Sequence, residues 1–423
     1  MGFFVEGFVT DEERSGGRSR RVDIQSMKSY IQPDFQRPDT LTNFPLVKRS
    51  AVFKPTRPTV AEIDFQALAG NLHGIRRKVG SGVKVMGVVK ANAYGHGLLE
   101  VSRYLERQRI DYLGVANVEE GVALRESGIK TPVQVFTLSS VEQAPLSVRY
   151  SLEPTICAKA DADLLNRCAQ RAKRTLPVHL KIDTGMNRIG VRVRDLAVLL
   201  KHLGTMRRLE IKGVYTHFAT ADWKDKTFTK QQLAEFHKGL EILRKSGLEP
   251  ELLHCAGSAG ILDLPESHLS MVRAGIMMYG YYPSRQTSES VRIKPVLSLK
   301  SRVSLVKWID KGESVSYGRR FFAPRRTRIA TVPLGYADGY FRLLTGQSYA
   351  IIGKKKFPIV GTICMDQLMI DVGRQDVRLG DEAIFIGRQG RTSISAWDLA
   401  VTLGTIPYEI CTNISSRVPR IAG

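Results

Sequence analysis

Between residues 83 and 277 eight short apolar, often β-branched runs alternate with turns and amphipathic helical stretches. The spacing predicts strands near 83–89, 112–116, 133–136, 152–156, 178–183, 211–217, 251–255 and 271–277. Helical patterns fill the gaps, among them Leu98 to Arg107, Val118 to Glu126 and Thr229 to Arg244. Apolar strands that alternate with helices form parallel sheets, because a parallel connection needs a crossover long enough to hold a helix. Eight such units close into a (β/α)8 barrel. The rival, an open doubly wound sheet, usually carries Gly-x-Gly-x-x-Gly after its first strand, and that pattern is absent.

The flanking segments behave differently. Residues 1–58 carry Gly16-Gly17, Pro33, Pro38, Pro45, Pro55 and Pro58 with little periodicity, as a poorly structured extension does. Ala61 to Asp64 reads as a short strand, and Asp64 can cap a helix reaching about Lys78 with Leu68, Leu72 and Ile75 on one face. Near residue 295 the alternation stops. Val296 to Trp308, Arg328 to Gly335, Tyr349 to Gly353 and Gly361 to Val372 read as strands, and Ser395 to Leu403 as a late helix. The expected class is α/β + β: an extension (1–58), a barrel (59–295) and a mostly β C-terminal domain (296–423).

The formal charge of +22 raises the question of a nucleic-acid partner. The basic residues are spread along the chain, however, and their densest cluster, from Arg319-Arg320 to Arg325-Arg326 and Arg328, has no interleaved aromatic platform. No nucleic acid is expected; the charge suits a surface that attracts small anions. No apolar run approaches the ~20 residues that span a bilayer, and Glu6 and Asp11-Glu12-Glu13 interrupt the apolar start Gly2-Phe3-Phe4-Val5. No membrane partner is expected, and the cytoplasm is the expected compartment. Five scattered cysteines without a Cys-x-x-Cys pair read as reduced thiols, and no metal is expected.

A barrel of this kind places its chemistry at the C-terminal ends of its strands, and the unusual residues fall there. Lys90 ends the first strand in Val88-Val89-Lys90-Ala91-Asn92-Ala93-Tyr94-Gly95-His96-Gly97. Lys181 to Arg188 closes the fifth, Thr216-His217-Phe218 the sixth, His254 and Gly257-Ser258 follow the seventh, and Arg273-Ala274-Gly275-Ile276 runs through the eighth. Each alone has an ordinary explanation: Arg188 as a surface ion pair, His217 as a core histidine, Ser258 as a helix cap. Gathered on one rim they mark a site. A lysine in a dry, electropositive pocket titrates low and can hold an aldehyde as a Schiff base, and pyridoxal phosphate is the aldehyde proteins use that way.

The decapeptide around Lys90 resembles the cofactor-lysine motif of the alanine racemase family, and matching segments follow in order over residues 59 to 420. The resemblance implies pyridoxal 5′-phosphate as cofactor, L-alanine and D-alanine as substrates, D-alanine supply for peptidoglycan, and a head-to-tail homodimer with shared active sites. Lys90 would be the base on one face of the substrate. Tyr317, in Ser314-Val315-Ser316-Tyr317-Gly318-Arg319, would be the base on the other, its pKa lowered from about 10 by His217 and Arg273. Taken alone, Tyr317 reads as a sheet tyrosine. Arg273 would face the pyridine nitrogen. Because an arginine keeps its proton, that nitrogen would stay unprotonated, and the weaker electron sink would favour reprotonation over transamination.

The same resemblance assigns the phosphate to Tyr94, Ser258 and the amides of Gly275 and Ile276, and the substrate carboxylate to Arg188 and the backbone of Met365 in Cys364-Met365-Asp366-Gln367. It makes Tyr336 a pocket residue, Lys181 a candidate for carboxylation, and His254 and Asp366 supporting residues. Two positions depart from the family pattern: Gly257 stands where Asn is common, and Ser416 where many members carry a tyrosine before Arg417-Val418-Pro419-Arg420. A racemase of another small amino acid such as serine, a decarboxylase on the same plan and a non-catalytic pyridoxal-phosphate-binding protein are the alternatives.

Overall fold

β1 (Val60–Ile63) leads into the helix Phe65–Val79, whose N-terminus is capped as the sequence predicts, with Asp64 Oδ1 accepting from the Ala67 N–H at 2.8 Å. The computed structural model describes residues 56–423, so residues 1–55 of the expected extension lie outside the described residues. Eight parallel strands follow as a barrel: β2 (Lys84–Val88), β3 (Tyr112–Val115), β4 (Val133–Val135), β5 (Glu153–Ile156), β6 (Leu176–Asp183), β8 (Leu209–Tyr215), β9 (Leu252–His254) and β10 (Met271–Ala274). The two-residue β7 (Val191–Arg192) hangs on β6. The strands neighbour one another in the order β10-β2-β3-β4-β5-β6-β8-β9. Two backbone bonds, Ser270 N–H to Leu253 C=O at 3.2 Å and Arg273 N–H to Ala256 C=O at 2.9 Å, draw the ends together. β3 and β5 are buried at every position, as strands packed on both faces must be. The barrel and the β-rich domain after it agree with the expected fold class.

That second domain contains β11 (Leu297–Arg302), β12 (Leu305–Ile309), the small hairpin β13 (Ser314–Val315) and β14 (Phe321–Phe322), β15 (Thr327–Val332), β16 (Tyr349–Ile352), β17 (Lys355–Val360), β18 (Leu368–Gly373), β19 (Glu382–Gln389), β20 (Thr392–Ile394) and β21 (Arg420–Ala422). The expected single strand from Val296 to Trp308 is two, because the N–H groups of Val303 and Ser304 turn away to Asp381 and Thr331 carbonyls.

β1 lies within the segment assigned to the barrel, yet it pairs antiparallel with β11 and parallel with β21. The chain therefore enters through the C-terminal sheet before crossing to the barrel. A four-residue apolar strand specifies its faces but not its partner. Arg57, at the end of the segment expected to be loose, is ion-paired at 2.7 Å to Asp338, which is fully buried. One apolar core runs from the first half of the barrel into the β-domain. Among the described residues no helix is long and apolar enough to cross a membrane, and all five cysteines are free.

Candidate active site

Lys90 follows β2 directly and opens a turn whose next four residues, Ala91, Asn92, Ala93 and Tyr94, all have φ between +53° and +55°. Left-handed backbone costs L-residues about 1–2 kcal/mol each, so the turn persists only because its surroundings hold it. Glu120 does much of this: one carboxylate oxygen accepts from the Ala91 N–H at 2.7 Å and the other from the Ala116 N–H at 2.8 Å. Asn92 Oδ1 accepts from the Leu98 N–H, and Arg420 Nε donates to the Gly95 carbonyl. Gly95 has φ +83°, and a Cβ there would stand 2.0 Å from the Cys411 carbonyl oxygen. Burial strips water from the Lys90 amine and lowers its pKa; Arg188 and Arg273 push the same way, Glu120 the other.

Arg273 is fixed at the same rim by five hydrogen bonds. One terminal nitrogen donates to His254 Nδ1 and to the His254 carbonyl, both at 2.9 Å. The other donates to the Thr216 carbonyl (2.8 Å), the Cys255 carbonyl (2.9 Å) and His217 Nδ1 (3.0 Å). Guanidinium only donates, so both imidazoles present bare Nδ1 atoms. Burial first, then the charge of Arg273, keeps His217 and His254 well below the usual imidazole range. No carboxylate is ion-paired to Lys90, Lys181, Arg188 or Arg273 among the described residues.

Beside Arg273 lies a cradle of neutral donors. Ser258 Oγ accepts from the Gly275 N–H at 3.1 Å and the Met277 N–H at 3.4 Å, which leaves its own hydrogen free. Ile276 begins a 3-10 turn, Ile276–Tyr279, where a first-turn N–H has no partner within the turn. A Cβ on Gly275 would stand 2.8 Å from the Tyr94 hydroxyl and 3.6 Å from Ser258 Oγ, so glycine keeps this space open. The Tyr94 ring is held between Tyr279 and Tyr408, at centroid distances of 5.0 and 5.9 Å. Lys181 lies 5.2 Å from the centre of the Tyr215 ring, and burial with Arg273 and Arg188 lowers its pKa to about 8.

The structure thus brings Lys90, Tyr94, Lys181, His217, His254, Ser258, Arg273, Gly275 and Ile276 to one barrel mouth. Arg188, on the loop after β6 shaped by Asp183, is exposed, and its charge reaches Lys90 and Lys181. Tyr317, Tyr336, Met365 and Asp366 lie on the C-terminal domain. None of the first three is hydrogen-bonded to Lys90 or Arg273 among the described residues, and Tyr317 is 72% exposed. Asp366 pairs instead with Arg417 at 2.7 Å. Of the two departures, Gly257 has φ −90°, and a Cβ there would only touch His217 Cε1 at 3.5 Å, so the backbone does not require glycine. Ser416 is exposed.

The family models for the alanine racemase N-terminal domain and the alanine racemase C-terminal domain match residues 63–283 and 296–422. The chain belongs to the alanine racemase family. The alanine racemase of Halothermothrix orenii is 44% identical over 366 residues, covering 86% of this chain and 97% of that protein. The alanine racemase of Carboxydothermus hydrogenoformans is 43% identical, covering 86% and 99%. Among solved structures, an alanine racemase from Clostridium difficile superposes with a TM-score of 0.84 at 36% identity, covering 88% of this chain and 97% of that one. The Bacillus anthracis alanine racemase with bound L-Ala-P gives 0.83 at 36% identity, covering 88% and 96%.

Reasoning from sequence missed Glu120, Glu153, His179 and Gly213. Asn117-x-x-Glu120 has the form of a helix capping box, and Asn117 does cap the Glu120 N–H at 3.0 Å, but the Glu120 carboxylate serves the Lys90 turn instead. His179, a histidine inside an apolar strand, was the visible signal for the others.

Proposed function

We propose that this member of the alanine racemase family interconverts L-alanine and D-alanine with pyridoxal 5′-phosphate, supplying D-alanine for peptidoglycan in the cytoplasm. The observation that carries the reading is the set of cations at one barrel mouth, Lys90, Lys181, Arg188 and Arg273, without carboxylate ion pairs among the described residues and beside a cradle of neutral donors. That donor set fits a phosphorylated pyridoxal: Tyr94, Ser258 and the amides of Gly275 and Ile276 would hold the phosphate, Arg273 the ring nitrogen, and Lys90 the aldehyde. When bound, the cofactor supplies the electron sink that acidifies the Cα proton of an attached amino acid.

The protein supplies the rest. Lys90, with its lowered pKa, presents a neutral amine able to take a proton at Nζ on its side of the substrate. Arg188 and the Met365 N–H orient the carboxylate. The other face needs a base that the barrel lacks, and exposed Tyr317 is the group to meet it, carried in by a second copy of the chain. His217, whose Nδ1 accepts from Arg273, has only an N–H to offer at Nε2, a donor that stabilises a tyrosine oxygen as it loses its proton. The low pKa of Lys181 leaves part of its amine unprotonated, the form that takes up carbon dioxide. A lone binding barrel would have no use for Tyr317 and the β-domain, and no observation favours serine over alanine. Chiral chromatography of the purified protein incubated with L-alanine tests the reading. Racemate is expected; L-alanine unchanged, or carbon dioxide released, would overturn it.

A further inference from the structure

Arg273 lies at the catalytic mouth, yet the carboxylate joined to it by hydrogen bonds stands two side chains away across the barrel interior. Its terminal nitrogen meets His254 Nδ1 at 2.9 Å, His254 Nε2 meets His179 Nδ1 at 3.2 Å, and His179 Nε2 meets Glu153 Oε2 at 2.8 Å. The four residues come from β10, β9, β6 and β5, and all are buried.

One fact orients every proton on this string: the guanidinium donates and cannot accept. His254 Nδ1 is therefore bare, and the ring proton of His254 is on Nε2. That proton points at His179, so His179 Nδ1 accepts and its own proton is on Nε2, donated to Glu153. A doubly protonated His179 does not fit, because its Nδ1–H would require His254 to be bare at both nitrogens. Without an acceptor at position 153, the Nε2 proton of His179 would have no partner, and the tautomers would be held from the Arg273 end alone. The other tautomer would set two N–H groups face to face across the contact with His254.

The packing makes room for this arrangement. The β6·β8 register slips between Val178 and His179, and a Cβ on Gly213 opposite would stand 2.4 Å from His179 Nδ1. Tyr215 stacks on His254 with centroids 4.9 Å apart and planes 2° from parallel, while Tyr112 and Tyr215 meet His179 edge-on at 6.2 and 6.5 Å. The other charged groups around Glu153 are Arg125, Lys84, Lys212, Asp111, Glu210 and Glu251.

We propose that Glu153 and His179 are positioning residues for Arg273: they hold His254 in the tautomer that presents a bare nitrogen, and so fix the guanidinium at the catalytic mouth. The consequence for turnover rests on the racemase reading; the proton positions do not. Neutron diffraction from crystals of the holoenzyme should place the ring deuterons of His179 and His254 on Nε2 alone. A deuteron on either Nδ1 overturns the proposal, whether or not the protein racemises alanine. Glu153→Gln keeps an acceptor oxygen and should hold kcat within about twofold, whereas Glu153→Leu should lower kcat about tenfold with little change in KM or cofactor content. Equal loss in both variants, or full activity in a folded Glu153→Leu protein, overturns it. Should Glu153→Leu not fold, His179→Phe decides: it keeps a ring between Tyr112 and Tyr215 but breaks the string, and should lower kcat about tenfold with little change in KM, whereas full activity in it overturns the proposal.

Discussion

The two mouths of the barrel are built from the same strands and treat charge in opposite ways. At the C-terminal mouth, Lys90, Lys181, Arg188 and Arg273 have no carboxylate ion pair among the described residues. At the N-terminal mouth, Glu251 is bonded to both Lys84 and Lys212, next to Glu153, Glu210 and Asp111. Enclosing a cation without a partner, as at Lys181 and Arg273, costs several kcal/mol. Such cations are kept where an anionic ligand completes the site, whereas matched surface pairs add little beyond local order. One end of the barrel therefore has a positive charge that an anionic ligand would balance, and the other balances its own charges. The string from Arg273 to Glu153 is where the two meet.

The sharpest separation of the two ends comes from Lys90→Ala. It should lower kcat by about 10³-fold or more and remove the visible absorbance of bound cofactor, with the melting temperature little changed. An absorbance band that survives in this variant would move the cofactor to another lysine. Next in size is a test of whether the catalytic mouth is complete in one chain. Inactive Lys90→Ala and inactive Tyr317→Phe subunits, mixed and exchanged, should recover about a quarter of wild-type activity, since half of the random dimers contain one intact site of two. No recovery after verified exchange would show that both bases come from one subunit.

A smaller effect is expected from Arg188→Met. Arg188 lowers the Lys90 pKa along with Arg273, against Glu120, so its removal should raise that pKa and move the acid limb of the kcat profile to higher pH. A limb that stays put or moves down would mean that Lys90 is not the group titrating there. The smallest effect belongs to the N-terminal mouth. Side-chain bonds from Lys212 and Lys84 hold Glu251 down to about 2. Because the folded pKa is depressed, its stabilisation is present above the unfolded value of about 4.3 and is lost as pH falls toward 2. With the Glu251 side chain 46% exposed, Glu251→Gln should cost less than about 1 kcal/mol near neutral pH. Denaturant melts should show that difference disappearing in acid, with racemisation unaffected throughout.

Much of the barrel could be read in advance because its signals are local. Alternating apolar runs and helical faces are properties of neighbouring residues, and Lys90, Lys181, His217, Ser258 and Arg273 stand out because they interrupt or end such runs. The family's segments around Tyr317 and Met365 were equally visible. Where those segments sit relative to the barrel mouth was not, since an exposed tyrosine on a hairpin looks the same in sequence whether it completes its own site or another's.

The order of the strands, the character of each helix face and the residues at the rim were determined by the sequence, through periodicities that need no partner. Only the tertiary structure decided that β1 joins the C-terminal sheet, that the four residues after Lys90 turn left-handed, and that His179 and His254 lie in one hydrogen-bonded string between Arg273 and Glu153. Each of these depends on a group far away in the chain: Arg420 and Cys411 against Gly95, Glu120 under Ala91, Glu153 at the end of the histidine string. A hydrogen bond has direction and needs both ends in place, so its consequences appear only after the fold has brought those ends together.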